Sequence, residues 1–291
     1  MTIHEINNNA AMKGQVRLIE NVTYSAVDGE ALKMDILAPW SQRYDYLKSD
    51  PRPLIVFVQG SSWRQPTMGE EIPQLVQFVK AGYIVATVQH RNSLDGHSFP
   101  AFLQDVKTAI RFLRAHAEQY AIDPQRVAIW GTSSGANASL LVALTPNDSR
   151  YKTAEYADQS DAVNAVVSCF APTDVVDTFK NASQVPGSDI LQYSLFGTDP
   201  SKWDDIKRQM SPLYQIKDGQ KYPPFLLLHG DADKVVPYHQ MEDMYHALEE
   251  HGVSVEAYRV KGANHERDFW SQTIYDIVKD FLAPIEKPVV E

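Results

Sequence analysis

The chain has 291 residues, 44% of them hydrophobic, which is enough to bury a large core and sets it apart from disordered and fibrous chains. Lys and Arg number 27 against 37 Asp and Glu, a formal charge of −10 with His neutral, and so acidic a surface argues against nucleic acid or an anionic membrane as partner. Cys169 is the single cysteine, so no intrachain disulfide can form and a reducing, cytoplasmic setting is expected.

The first residues, MTIHEINNNAAMKGQVRL, hold no apolar h-region, so no signal peptide is expected. No apolar run approaches the roughly 20 residues that span a bilayer. Without a secretory signal, the Asn-x-Ser/Thr matches at Asn21, Asn137, Asn147 and Asn181 read as chance. The segment VRLIENVTYSAVDGEALKMDILAP predicts two alternating, antiparallel strands around the turn Asp28-Gly29. The polar, Pro-bearing RYDYLKSDPRP predicts a loop.

From there the pattern changes. PLIVFVQG is a continuous apolar run ending in Gly, as expected of a strand buried on both faces. EIPQLVQFVKAG has helical spacing and a Gly stop. YIVATVQH predicts a second buried strand, FPAFLQDVKTAIRFLRAHAEQYAI one long amphipathic helix, and RVAIWG a third buried strand. AVNAVVSCFAP, PPFLLLHGD and SVEAYRV predict further strands, and HQMEDMYHALEEHG and DFWSQTIYDIVKDFLAP further helices. Strands alternating with helices imply an α/β fold, a mostly parallel sheet covered by helices on both faces. Residues 172–221 break this rhythm and predict a cap or lid inserted over the C-terminal edge of the sheet of a single domain.

The stretch AIWGTSSGANASL places G-x-S-x-G, Gly131 to Gly135, between a buried strand and a helix, the context in which this motif presents a nucleophile. Ser133 would occupy a strained backbone position, with glycines leaving room for strand and helix to approach. Serine needs a base, and the base needs an acid to orient it. In this arrangement the chain order is Ser, then Asp or Glu, then His. HGDADKVVP follows a strand and offers Asp231 and Asp233, of which Asp233 is favoured, since Asp231 directly follows Gly230 and shapes the turn. YRVKGANH follows the last strand and offers His265. Of the other histidines, His229 lies inside its strand and reads as structural, while His239, His246 and His251 read as solvated.

Acyl transfer also needs donors for an oxyanion. One is the backbone N–H of Ser134. Another is expected from the loop after the first buried strand, where Gly60, Ser61 and Ser62 are candidates and Ser61 the first choice. Gln59 is expected to brace that loop by side-chain hydrogen bonds, and Trp63 either walls the substrate pocket or packs. Phe179, Leu191, Tyr193, Leu195, Phe196 and Trp203 either line an apolar cleft in the cap or form its core, about half of them each way on this reading. Cys169 reads as a buried, inert thiol.

The segments ENVTYSAVDGEALKMDILAP, PLIVFVQGSSW, FPAFLQDVKTAIRFLRAHAEQYAIDPQRVAIWGTSSGA, HGDADKVVP and GANH together resemble the α/β-hydrolase superfamily. The likeness is to hormone-sensitive-lipase-like and bacterial feruloyl-esterase-like carboxylesterases. It implies an eight-stranded sheet, no cofactor, and ester hydrolysis through Ser133, Asp233 and His265. The chain departs from the family in having Gln59-Gly60-Ser61 where His-Gly-Gly is usual, and Ser134-Gly135-Ala136 after the nucleophile where Ala-Gly-Gly is usual.

The expected substrate is a small-molecule ester with a small-to-medium acyl or aryl group. Two alternatives stand beside it: an amide-directed hydrolase, arylformamidase-like or peptidase-like, and a hydrolase fold reused for binding. Metal chemistry is not expected, because there is no His-Glu-x-x-His, no cysteine pair and no histidine ligand spacing. The glycine loops match neither phosphate-binding pattern. A homo-oligomer is compatible with the sequence, which does not specify one.

Overall fold

The computed structural model describes residues 2–10, 12–40, 50–180 and 188–286. Most of the loop expected after residue 42, and Asn181 with the segment 181–187 of the insertion, lie outside the described residues.

The first two strands pair as their alternation predicts. β1 (Val16–Val27) and β2 (Glu30–Pro39) run antiparallel, closing on the pair Val27–Glu30. The turn residues Asp28 and Gly29 have φ of 52° and 84°, the two positive values a tight hairpin turn requires. The apolar runs become β3 (Arg52–Val58), β4 (Ile84–Val88), β5 (Ile122–Thr132), β6 (Ala165–Cys169), β7 (Phe225–Gly230) and β8 (Val255–Val260). Together they form one eight-stranded sheet in the order β1-β2-β4-β3-β5-β6-β7-β8. β2 pairs antiparallel with β4, and every pairing from β4 to β8 is parallel.

Because β3 to β7 are apolar on both sides, each face of the sheet needs a helical cover. Leu54, Val56, Val127 and Ile129 face a core shared with α2 (Ala101–Ala115), α4 (Ser133–Leu144) and α8 (His239–Glu250). Ile55, Phe57, Ala128 and Trp130 face the other core, shared with α1 (Ile72–Ala81) and α9 (Gln272–Glu286). The alternation of neighbours between the two cores is the strand period of two.

Two helices differ from their sequence reading. The long helix breaks at His116, whose φ and ψ of −110° and 24° leave the helical region, and resumes as α3 (Ala117–Tyr120). The last helix begins at Gln272 and not at Asp268. Glu266 and Arg267 have positive φ, residues 267–269 form one 3-10 turn, and Trp270 is extended.

Between β6 and β7 the chain makes α5 (Val175–Thr178), α6 (Ser188–Phe196) and α7 (Trp203–Met210). Phe179, Leu195 and Phe196 are buried in the core, Leu191 and Trp203 partly so, and Tyr193 is exposed. Gln240 of α8 anchors the start of this insertion, with its Oε1 accepting from the N–H groups of Thr173 and Asp174.

Candidate active site

The C-terminal ends of β3, β5, β7 and β8 deliver the candidate residues to one edge of the sheet. β5 runs straight into α4, and Ser133 at the junction has a φ of 50°. The strain expected of the elbow is therefore present. The glycines around it have steric reasons. A Cβ on Gly131 would overlap the Gly135 carbonyl, and one on Gly135 would overlap the Val58 carbonyl of β3. A Cβ on Gly60 would come within 2.8 Å of the Ser133 Cβ, so the β3 loop lies directly against Ser133. The N-terminus of α4 points its free N–H groups and positive dipole end at the same spot.

Ser133 Oγ lies 3.0 Å from His265 Nε2, and His265 Nδ1 lies 2.7 Å from Asp233 Oδ2. The carboxylate accepts the Nδ1–H, which leaves Nε2 without a hydrogen and ready to accept from the serine hydroxyl. Asp233 Oδ1 accepts from the backbone N–H groups of Val235 and Val236 at 2.8 and 2.9 Å. Burial pushes this carboxyl up, but hydrogen bonds from His229, His265, Val236 and Val235 outweigh it and hold Asp233 well below the ordinary carboxylate range. Asp231, the rejected alternative, accepts from the Gly262 N–H and from Arg259 Nε, so it shapes the turns leading to Asp233 and His265.

The oxyanion loop differs from its sequence reading in three ways. The N–H of Gly60 is already donated to Thr132 Oγ1 at 2.8 Å, and that of Ser61 to Ser134 Oγ at 2.9 Å. Neither is a free donor, because hydroxyl oxygens of the elbow have taken them. Ser62 makes no backbone N–H bond among the described residues, and the Ser134 N–H is one of the four at the start of α4 without an intrahelical acceptor. Second, the positive φ values of this loop fall on two non-glycine residues, Ser62 and Trp63, and not on Gly60 or Ser61. Third, Gln59 does not brace the loop: it is 4% exposed and its Oε1 has no partner. Ser61 Oγ does the bracing, donating to the Arg64 carbonyl at 2.6 Å.

Trp63 is 4% exposed and packs against Phe179 of the insertion. Its Nε1–H donates to Asn137 Oδ1 at 3.2 Å, so packing is the role its contacts support. Cys169 is fully buried, and burial pushes its thiol up, which makes it a poor source of thiolate.

Three residues escaped the sequence reading, and a fourth, His229, reads there only as structural. Asn264 Oδ1 accepts from the N–H groups of both Lys234 and His265, tying the acid loop to the base loop. Asn137 donates to the carbonyls of Pro172 and Met210, tying the elbow helix to the insertion. Phe170 stands edge-on to the His265 ring at 4.7 Å. His229 reaches Asp233 Oδ2 at 3.2 Å. The Gly-Ala-Asn-His string could have singled out Asn264, since an Asn beside a turn bonds local backbone N–H groups. The other three depend on tertiary approach and leave no local signal.

A family model, BD-FAE, matches residues 34–248. Esterase LipC of Mycobacterium tuberculosis is 28% identical over 76% of this chain and 55% of its own length. The chain spans about half the length of the curated relatives it matches. Among solved structures, a truncated carbohydrate esterase from gut microbiota superposes with a TM-score of 0.75 at 26% identity, covering 93% of this chain and 96% of that one. A bifunctional GH43-CE protein of Bacteroides eggerthii gives a TM-score of 0.77 at 28% identity, covering 93% of this chain and 38% of that one. The architecture is the α/β-hydrolase fold. No helix among the described residues is long and apolar enough to cross a membrane.

Proposed function

We propose that this chain, which belongs to the BD-FAE family, is a serine carboxylesterase acting on small-molecule esters with small-to-medium acyl or aryl groups. The observation that carries the reading is the unbroken relay from Ser133 Oγ through His265 to Asp233, at 3.0 and 2.7 Å. The names of the relatives, esterase LipC and a carbohydrate esterase, support the same chemistry.

His265 Nε2 takes the proton from Ser133, and Oγ attacks the ester carbonyl carbon. Asp233 stays ionised and stabilises the imidazolium. The oxyanion is held by backbone N–H groups of Ser134 and Ser62, with that of Ser61 added when the Ser134 hydroxyl turns away from it. The imidazolium protonates the leaving alcohol, an acyl group remains on Ser133, and water activated by the same His265 releases the acid. The described part of residues 172–221 acts as a cap over this edge, with Trp63 and Phe179 as the contact between cap and oxyanion loop.

Hydrolysis of p-nitrophenyl esters from acetate to long-chain acyl groups tests this, with Ser133→Ala as blank. The variant is expected to lose on the order of 10³-fold or more in kcat, because triad members act as one unit. Near wild-type turnover by Ser133→Ala would remove the elbow from the mechanism. A preference for long acyl chains would remove the substrate class. Turnover of N-formylkynurenine in place of every ester would move the chemistry to amides.

A further inference from the structure

His229 sits near the end of β7 with its ring wholly buried. Its Nε2 lies 3.0 Å from the Val236 carbonyl oxygen and 3.2 Å from Asp233 Oδ2. A carbonyl oxygen can only accept, so the network places the hydrogen on Nε2, and one N–H is shared between two acceptors. Nδ1 is buried without a partner and fixes nothing. Among the described residues, the only hydrogen bonds that orient the ring are therefore those of Nε2, and one of them goes to Asp233.

Asp233 Oδ2 thus receives two imidazole N–H groups, from His265 at 2.7 Å and from His229 at 3.2 Å. Oδ1 receives two backbone N–H groups. The carboxylate side chain has no solvent exposure, so these four donors replace water completely. His229 also closes a ring of contacts. It donates to the Val236 carbonyl, and Val236 donates its N–H to Asp233 Oδ1. Moving the ring would loosen both ends of the turn that carries the acid.

Resting on the triad reading above, we propose that His229 is a positioning residue for the reaction. Its Nε2–H fixes the angle of the Asp233 carboxylate toward His265 and draws off part of the negative charge that Oδ2 presents to His265. Two effects of removing it follow from this arrangement. The carboxylate gains freedom, so fewer ground-state molecules have His265 aligned with Ser133, and kcat falls while KM barely moves. Oδ2 also becomes more negative toward His265, which favours the protonated ring, so the acid limb of kcat/KM moves to higher pH. The other charged and titratable groups facing the pair stay in place. They are Tyr238 against the His229 ring, Arg259 over Tyr238, Asp231 bonded to Arg259, and Glu266 next to His265, whose carboxyl burial pushes up.

The test compares His229→Leu with His229→Gln in full kcat/KM profiles from pH 5 to 9 on a p-nitrophenyl ester, with near-UV circular dichroism to verify folding. His229→Leu is expected to lose about 10- to 100-fold in kcat, the range for one hydrogen bond to a charged group, with KM within about threefold. Its acid limb is expected to rise by about half to one pH unit. The Gln Nε2–H can reach the site of the His Nε2–H, so His229→Gln is expected to recover most of the rate and to return the limb to its wild-type position. If His229→Leu does not fold, His229→Asn takes its place, since its amide is too short to reach Asp233. A loss of kcat with an unmoved acid limb, or Gln no better than Leu or Asn, would overturn the proposal and leave His229 a packing residue. Ser133→Ala run beside them separates the two readings. If it keeps its activity, the triad itself fails; if it is dead while the His229 variants match wild type, only the role of His229 fails.

Discussion

Replacing Asp233 by Asn is the most exacting test of the relay, because the geometry leaves the amide no good orientation. Four donors converge on the carboxylate: Val235 and Val236 N–H on Oδ1, His265 and His229 on Oδ2. An Asn side chain has one acceptor oxygen and one NH₂. With its oxygen toward the backbone pair, its NH₂ faces His265 Nδ1 and can only donate to it. His265 must then carry its hydrogen on Nε2, where it points at Ser133 and can no longer accept the serine proton. With the amide flipped, the NH₂ collides with two backbone N–H groups in a site without water. The first state should dominate. In the general case of a serine triad, Asp to Asn with intact geometry costs about 10⁴-fold in kcat through the wrong tautomer, or about 5.5 kcal/mol of barrier. We expect Asp233→Asn to show a loss of that order with KM changed by no more than about threefold. Initial rates on p-nitrophenyl acetate and butyrate, corrected with Ser133→Ala, measure it. Recovery at high pH is expected, since hydroxide can replace the missing base. Retention of more than a tenth of wild-type kcat at neutral pH would refute the relay and reopen the choice between Asp231 and Asp233.

Other variants read different parts of the molecule. Ser134→Ala frees the Ser61 N–H from the hydroxyl that now accepts it, so kcat is expected to hold or rise up to several-fold; a hundredfold loss would make that hydroxyl an oxyanion donor in its own right. Asp161 pairs with Lys107 at 3.0 Å and Arg111 at 3.2 Å, all three side chains essentially unexposed. Asp161→Ala leaves two buried cations without their partner and is expected to cost about 3–5 kcal/mol in urea unfolding; a loss under 1 kcal/mol would mean water reaches the cluster. The Glu71 carboxyl is pushed up to about 7 by burial, then by the charges of Glu266 and Glu70. Its value in the unfolded chain is about 4.3, so between those pH values the folded state holds a proton the unfolded state lacks, and stability falls as pH rises through the window. Glu71→Gln should therefore match wild type near pH 4 and exceed its melting temperature at pH 8, and a difference independent of pH would contradict the assignment.

What could be read in advance divides along a physical line. The central strands of the sheet were legible because a strand buried on both faces is largely apolar, as LIVFV, IVATV and FLLLH are. That Ser133, Asp233 and His265 come together was legible because each lies just past a strand end, where topology alone brings β5, β7 and β8 to one edge. The break at His116 was not, because nothing in RFLRAHAEQY interrupts the helical period. Gln59 illustrates a different limit. Replacing a histidine in a loop suggests hydrogen bonding by residue type, but which backbone group is within reach depends on how the loop meets the elbow. There the hydroxyls of Thr132 and Ser134 arrived first.

Those hydroxyls also explain how a chain without His-Gly-Gly keeps its loop against Ser133. The bracing runs from elbow to loop. Thr132 and Ser134 flank Ser133 and each holds one loop N–H, while Asn137, one turn further along α4, holds the Trp63 indole. Contacts from Thr132, Ser134 and Asn137 hold Gly60, Ser61 and Trp63, so the loop does not depend on Gln59, whose buried Oε1 is unpaired. On the proposed mechanism the arrangement has a cost in catalysis, since the Ser61 N–H proposed to face an oxyanion faces the Ser134 hydroxyl. Stability of the loop and readiness of the oxyanion site are thus set against each other at Ser134, which is why the direction of the Ser134→Ala effect, and not only its size, discriminates between the two ways the site could work.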